Sequence, residues 1–287
     1  MATLTTRAVT RVVTAQEASE GAGVRIRRSI GTPELDHLDP FLLLDEFKSD
    51  QASDYMAGFP DHPHRGFETV TYMLAGAMEH QDHKGNRGNL VAGSVQWMTA
   101  GRGIVHSEMP RQEDGLMWGF QLWINLPARE KMREPRYQDI APDRIPEVDA
   151  GGGVRVRVIA GERDGVAGPV SGVATQPLYL DARLPPAASF VQALPAGHNA
   201  FAYVFDGEAV LGGAPGTDGT RVGAGRLAVL GEGERFAATA GPPGACLLLV
   251  AAAPLREPIA RYGPFVMNTR EEIAQAFRDF QRGTFLD

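Results

Sequence analysis

Two pairs of potential metal ligands lie in the first half of this 287-residue chain. His62 and His64 are separated by one residue, and so are His106 and Glu108. Because residues i and i+2 of a strand point to the same face, each pair offers two ligands on one side of a strand. If the two strands are neighbours in a barrel, three imidazoles and one carboxylate meet at one point. Iron, nickel, copper and zinc accept such a ligand set, and positions left open on the ion permit chemistry on a bound substrate.

The other histidines lack this spacing. His80 and His83 lie among polar residues in the segment 79–88, which we interpret as a solvated hairpin tip, and we do not assign them as ligands. His37 and His198 have no partner at ligand spacing. A single histidine in a β protein is more often a hydrogen-bonded structural residue than a ligand. The combination of two i, i+2 pairs beside Gly-rich turns therefore carries the metal-site hypothesis.

Short apolar runs separated by Gly and Pro predict the elements that position these residues. The chain has 34 glycines and 20 prolines, and it shows no alternation of strands with long amphipathic helices. This pattern is typical of an all-β sandwich or barrel. The predicted strands are Phe67–Leu74, Ser94–Met98, Leu116–Ile124, Val154–Ile159, Phe201–Phe205, Arg226–Leu230 and Ala245–Ala251.

One helix is predicted near the C-terminus. Thr269 can cap it, Glu272 completes a capping box, and Gly283 can end it. An apolar face at helical spacing is formed by Ile273, Phe277 and Phe280. We expect this face to pack against the outside of the β structure or at an interface.

A linker is predicted in the middle of the chain. Residues 135–146 are rich in proline, and Gly151-Gly-Gly153 follows shortly afterwards. We therefore place a boundary near residue 145. This predicts an N-terminal metal-binding domain over residues 1–145 and a C-terminal domain without metal ligands, ending in the helix, over residues 146–287.

Composition excludes several function classes. The formal net charge of −7 argues against direct nucleic-acid binding through phosphate neutralisation, although a DNA-binding protein remains an open partner. Cys246 is the only cysteine, so the chain has no internal disulfide and no cysteine-based zinc site. No apolar run approaches the ~20 residues that cross a bilayer, and no secretory signal is evident. We expect a cytoplasmic protein without a membrane partner.

Long segments of the chain resemble the pirin family of cupins. The signature segments are similar to Asp61-His-Pro-His-Arg-Gly-Phe-Glu-Thr-Val70 and Gln96-Trp-Met-Thr-Ala-Gly-Arg-Gly-Ile-Val-His-Ser-Glu-Met-Pro110. Further similar segments are Arg27–Gly31, Leu38–Phe47 and Gly263–Thr269, so the resemblance covers nearly the whole chain. It implies a bicupin, two tandem antiparallel β-barrels of the double-stranded β-helix or jelly-roll type, with a C-terminal helix.

The resemblance also implies which residues hold the metal. Pirins carry one divalent or trivalent metal, usually iron, in the N-terminal barrel, and their ligands fall on His62, His64, His106 and Glu108. Nickel, copper, zinc, manganese or cobalt remain alternatives. Many cupins instead use a glutamate four residues after the second histidine, here Glu68, and strand parity alone leaves this residue open. We prefer Glu108 as the ligand and keep Glu68 as a candidate that supports the ligands by hydrogen bonding.

The second barrel departs from the metal-binding pattern. Phe236 stands where the first half has His106, and His198-Asn-Ala200 stands where the first half has its HxH pair. With a single potential ligand left, this barrel is predicted to bind no metal and to serve as a scaffold or partner surface.

Two functions are compatible with the resemblance. Some pirins are quercetin 2,3-dioxygenases, which open a flavonol ring with O2, and Glu108 would then take the flavonol hydroxyl proton as a general base. Others are regulators that bind a transcription factor or metabolic enzyme and sense the redox state of the metal. The feature relevant to that alternative is the basic strip Arg25-Ile-Arg-Arg28. A metal with a purely structural or storage role is a third, weaker interpretation because structural sites are normally closed.

Overall fold

The computed structural model describes residues 4–213 and 219–286. These residues form strands, three short 3₁₀ turns (Ala52–Asp54, Ala128–Glu130 and Pro142–Arg144) and one α-helix, α1 (Arg270–Arg282). In chain order the strands are β1 (Val9–Thr14), β2 (Gln16–Glu20), β3 (Val24–Ile30), β4 (Phe41–Ser49), β5 (Phe59–His64), β6 (Phe67–Ala75), β7 (Ala77–Asp82), β8 (Arg87–Val91), β9 (Val95–Thr99), β10 (Ile104–Pro110), β11 (Met117–Asn125), β12 (Arg136–Ile140), β13 (Glu147–Asp149), β14 (Arg155–Ala160), β15 (Glu162–Arg163), β16 (Val166–Ala167), β17 (Leu178–Leu184), β18 (Ser189–Ala193), β19 (Asn199–Leu211), β20 (Thr220–Gly223), β21 (Arg226–Leu230), β22 (Arg235–Ala252), β23 (Ala260–Tyr262) and β24 (Phe265–Met267).

The chain divides into two compact units. The first unit comprises residues 17–32, 36–142 and 255–286, and the second comprises the other described residues. The predicted all-β fold with one C-terminal helix is confirmed. A single boundary near residue 145 does not separate the two units. The C-terminal helix α1 belongs to the first unit, and the N-terminal strand β1 belongs to the second. Contacts between segments distant in sequence cause this: β1 pairs with β21, and Arg65 pairs with Asp279 of α1.

Two larger antiparallel sheets form the barrel of the first unit, and β23 and β24 form a separate two-stranded sheet. One has seven strands in the order β12-β9-β6-β11-β4-β3-β2, and the other has four in the order β5-β10-β7-β8. Antiparallel pairing places directly opposite residues on the same face of a sheet, so a cross-strand row shares one side. In the seven-stranded sheet the face that carries Phe47 and Met73 packs onto Met78 and Leu90 of the smaller sheet. That face therefore points into the barrel.

The second unit is a barrel with an apolar interior. Its sheet follows the order β1-β21-β19-β22-β17-β14-β13, with β18 and β20 added at β22 and β19. β19 and β22 are long, and register shifts occur between Val204 and Asp206 and between Gly207 and Ala209. Such bulges let one strand bend around a barrel. Gly207 has φ of 67°, a conformation that favours glycine.

The predicted capping of α1 is confirmed. The Thr269 side chain accepts a hydrogen bond from the Glu272 backbone N–H, and the Glu272 carboxylate accepts one from the Thr269 backbone N–H. Gly283 ends the helix with φ of 73°. Ile273 and Ala276 pack on Phe265 of β24 within the first unit. Within the described part of the chain, no helix is long and apolar enough to span a membrane.

Candidate metal centre

Three of the predicted ligands meet in the first unit. β5 and β10 are antiparallel neighbours, with His106 directly opposite His62 and Ile104 opposite His64. The ring centroids of His62 lie 4.6 Å from His64 and 4.4 Å from His106, and those of His64 and His106 lie 5.1 Å apart. One nitrogen from each residue lies within 4.8 Å of the others. This three-histidine cluster could hold a metal ion.

Several ring nitrogens of these histidines have no hydrogen-bond partner in the protein and are suited to bind a metal ion. His64 Nδ1 and both nitrogens of His106 are buried without a hydrogen-bond partner in the protein. Buried polar atoms are normally paired, because an unpaired one costs about 1–3 kcal/mol. His62 Nδ1 lies 2.8 Å from the Pro60 carbonyl oxygen, to which it donates, so that Nε2 is the nitrogen available for an ion.

The surroundings favour neutral imidazoles. Burial, followed by the nearby His62 and His106, lowers the pKa of His64 well below its usual range. Burial, followed by His62 and His80, does the same to the pKa of His106. A neutral imidazole is the form that binds a metal, so the protein holds these two residues in the form that a metal requires.

Glu108 follows His106 by two residues on β10, and its carboxylate is fixed by two donors. It is 2% exposed, and it accepts hydrogen bonds from Thr71 Oγ1 at 3.0 Å and from Gln121 Nε2 at 2.9 Å. A register shift between His106 and Glu108 separates it from the regular β5–β10 pairing. Glu108 is not one of the residues whose ligand atoms lie within 4.8 Å of one another. The protein thus holds the Glu108 carboxylate in a defined orientation between Thr71 and Gln121.

Glu68 is held on the opposite side of β6. Its Oε1 accepts a hydrogen bond of 2.6 Å from Thr99, which is its direct partner on β9. Thr71, three residues along the regular strand β6, points to the other face and reaches Glu108. Side chains of opposite parity leave a strand on opposite faces. Glu68 and Thr71 therefore point to opposite faces of β6, and Glu108 is hydrogen-bonded on the Thr71 side.

A row of polar side chains crosses the barrel interior at the level of Glu108. Its members are direct cross-strand partners in consecutive strands of the seven-stranded sheet, and we call it the polar row. It consists of Asp139, Gln96, Thr71, Gln121, Asp45 and Arg28. Sequence reasoning did not identify Thr71 or Gln121. The available signal was a polar residue within an apolar run, as at Gln121 in residues 117–124.

The interpretation of segment 79–88 as a solvated hairpin tip is wrong for His80. His80 is 1% exposed and lies directly opposite Glu108 in the pairing of β7 with β10. Its Nε2 lies 3.3 Å from Asp139 Oδ2, and its ring stacks on Tyr137. Gly88 faces the ring, and a Cβ at that position would collide with it. Strand pairing that the local sequence does not specify turns this residue inward.

A pocket of about 540 Å³ opens beside the cluster. His62, His64 and Gln121 lie on its wall. Its large apolar lining residues are Ile26, Leu43, Phe47, Phe59 and Trp123. An apolar pocket with a few convergent polar groups is the usual form of a small-molecule site. The arrangement can hold a flat organic ligand with one edge against the histidines.

Two antiparallel β units are the architecture of a two-domain cupin, and the histidine cluster in the first unit is the candidate metal centre found among the described residues. The pirin family model matches residues 23–124, and the model of the pirin C-terminal cupin domain matches residues 179–286. The chain belongs to the pirin family.

Individual relatives span nearly the whole chain. A Pseudomonas aeruginosa protein named "Putative quercetin 2,3-dioxygenase" is 50% identical over 281 residues, 96% of this chain and 97% of its own length. Human pirin is 48% identical and covers 95% of this chain and 92% of its own. The crystal structure of a quercetin 2,3-dioxygenase from Acinetobacter baumannii has a TM-score of 0.88 and 34% identity, and covers 98% of each chain.

Proposed function

We propose that this protein is a metal-dependent oxygenase of the quercetin 2,3-dioxygenase type, which cleaves a flavonol-like substrate with O2. One observation carries the proposal: buried imidazole nitrogens without protein partners converge beside a largely apolar pocket of about 540 Å³. The relatives named for this activity in Pseudomonas and Acinetobacter support it.

The proposed ligands are His62, His64, His106 and Glu108. Imidazole and carboxylate donors suit iron, nickel, copper, zinc, manganese and cobalt, and the family resemblance favours iron among them. A bound redox-active ion would supply electron exchange with O2 and a position for a substrate oxygen. The second unit is proposed to hold no metal. Phe236, at the position equivalent to His106, lies fully buried in an apolar core.

The chain's own residues position the substrate and move a proton. Phe47, Phe59 and Trp123 form apolar walls that exclude water and suit a flat aromatic ring. Glu108 would take the flavonol hydroxyl proton on a carboxylate oxygen. Thr71 and Gln121 hold the two oxygens in place, so that the base is oriented before the substrate enters.

The regulatory alternative gains no support from the basic strip. Arg25 pairs with Asp54 at 3.5 Å and Arg27 pairs with Glu46 at 2.8 Å. Arg28 instead turns towards the pocket and pairs with Asp45. Each guanidinium thus has a carboxylate partner, and the strip is not a continuous unpaired basic surface. Binding of a regulatory partner stays a prediction from the family resemblance.

The proposal is tested on protein purified without affinity-tag metals. We expect elemental analysis to give at most one tightly bound metal per chain, and quercetin to be consumed together with O2. His106→Ala should lose both the metal and the turnover. His198→Ala, in the second unit, is the matched control and should keep both. Iron-, nickel- and copper-loaded protein that all leave quercetin intact in air would refute the dioxygenase.

A further inference from the structure

The charges on the pocket wall beside the histidines are unevenly paired. The charged residues that line this pocket are Glu20, Arg28, Asp45, Asp61 and Arg261. Arg28 donates two hydrogen bonds of 2.7 Å to Asp45 and also contacts Glu20 at 2.8 Å. These three side chains form a hydrogen-bonded ion-pair cluster, and Asp45 and Glu20 also act on Arg261 electrostatically at longer range. Arg261, in contrast, has no carboxylate oxygen within 4.0 Å among the residues that the structure describes.

Arg261 is nevertheless held in a defined position. Its Nη1 donates a hydrogen bond of 3.0 Å to the Leu42 carbonyl, and its guanidinium carbon lies 4.9 Å from the Trp123 ring centroid. The Trp123 ring in turn lies 5.2 Å from the His64 ring. A guanidinium carries five N–H donors, so a cation fixed through one of them keeps others for a ligand. The same tryptophan therefore contacts the metal-site histidine and a cation on the pocket wall.

We propose that Arg261 selects ligands that carry a negatively charged oxygen, such as an aromatic carboxylate, away from the atoms that reach the metal. Arginine suits this role because its planar fork matches a carboxylate and can bind it through two parallel hydrogen bonds. The inference rests on the proposed metal site at the histidines, and it specifies that the ligand of this site carries an anionic group. Asp61, the remaining charge on the lining, precedes His62, so the anionic group of the ligand is assigned to the Arg261 side.

A purely structural role for Arg261 makes a different prediction. If the side chain only joins Leu42 to Trp123, its replacement disturbs the pocket for every ligand equally. If Arg261 recognises an anion, its replacement lowers the affinity for negatively charged ligands and leaves the affinity for neutral ligands unchanged. The comparison of a charged probe with a neutral one, in the wild type and in a variant of Arg261, separates these roles.

The test uses the full chain loaded with iron(III), with metal content verified by elemental analysis. The probes are 3,4-dihydroxybenzoate and its methyl ester, which share a catechol for the metal and differ in the remote carboxylate. Catechol binding to iron(III) gives a visible charge-transfer band, so titration in the absence of O2 yields both affinities without turnover. We expect the acid to bind about tenfold more tightly than the ester, as for one charge-assisted hydrogen-bonded contact.

Variants assign this preference to one residue. Arg261→Met should remove the preference for the acid and leave the affinity of the ester unchanged, whereas Arg261→Lys should keep part of it. Arg129→Met removes an arginine that does not line the pocket, and it should keep the wild-type preference.

Three results would overturn the inference: equal affinities in the wild type, equal weakening of both probes in Arg261→Met, or no band with either probe. Its failure is distinguishable from failure of the dioxygenase. Protein that prefers the acid but leaves quercetin intact supports the role of Arg261 and refutes only the proposed reaction.

Discussion

The side-chain amide of Gln121 donates a hydrogen bond of 2.9 Å to Glu108 Oε2, which joins the two sheets of the first unit at the candidate metal centre. Gln121 lies on β11 of the seven-stranded sheet, and Glu108 on β10 of the smaller one. The Oε1 atom of Gln121 accepts a hydrogen bond of 3.0 Å from Trp123 Nε1. The pocket wall and the carboxylate are thus connected by one amide.

Removing this amide should weaken the metal centre. In Gln121→Leu, Glu108 loses one of its two donors, and Thr71 alone orients its carboxylate. Loss of a hydrogen bond that orients a ligand typically lowers metal affinity about 10–100-fold. Competition with a chromophoric chelator measures the change. Gln281→Leu, an exposed change on α1, is the control, and equal affinities in the two variants would contradict the role of Gln121.

The two glutamates should respond differently to substitution. Glu108→Gln removes a proposed ligand and base, so we expect lower metal affinity and loss of flavonol cleavage. The Glu68 carboxylate lies on the other face of β6, where it accepts a hydrogen bond from Thr99. The Glu68→Gln variant should therefore keep the bound metal. Elemental analysis after dialysis and O2 uptake report the two effects. An empty site in Glu68→Gln with a filled site in Glu108→Gln would reverse the assignment.

The ion pair of Arg65 with Asp279 should couple α1 to the metal centre. Arg65 directly follows His64, and its Nη1 lies 2.6 Å from Asp279 Oδ2. Asp279→Asn leaves a nearly buried guanidinium without its carboxylate, which should cost about 2 kcal/mol of unfolding free energy and lower metal affinity. Denaturant titration and chelator competition measure these effects. Glu271→Gln, an exposed change on the same helix, should alter neither by a comparable amount.

Lys131 should make stability depend on pH in the alkaline range. It is 1% exposed and donates to the carbonyls of Gly66 and Val266 and to the side chain of Asn125. Burial lowers the pKa of Lys131 to about 8 from 10.5, partly opposed by Glu257 and Glu272. The folded protein therefore binds fewer protons than the unfolded chain between these values, and its unfolding free energy should rise with pH across that window, by at most about 3 kcal/mol.

Denaturant midpoints measured near pH 8 and near pH 10 test this dependence. Lys131→Met should lose the rise that this residue contributes, although the variant is less stable because three buried acceptors lose their donor. Lys84→Met removes a partly exposed lysine and should retain the rise. An unchanged slope in Lys131→Met would show that another group titrates.

The local sequence contains the information for the ligand residues, the strands and the capped helix. The i, i+2 spacing places His62 with His64 and His106 with Glu108 on common strand faces for any strand that forms there. The Thr269 capping box and Gly283 define α1 through hydrogen bonds between neighbours in sequence. The family segments are likewise contiguous stretches of sequence, and for this reason the two-barrel fold could be predicted from them.

Tertiary structure alone decided what surrounds those ligands. The face to which Glu68 points, the inward position of His80 and the contact of Gln121 with Glu108 all depend on the register between strands, and a one-residue slip would turn each side chain to the other face. The grouping of α1 with the first unit depends on Arg65 and Asp279, which are 214 residues apart in sequence. Local sequence patterns specify which side chains share one face of a strand. Packing of the whole barrel fixes the partner strands and their register, and these determine which face points into the site.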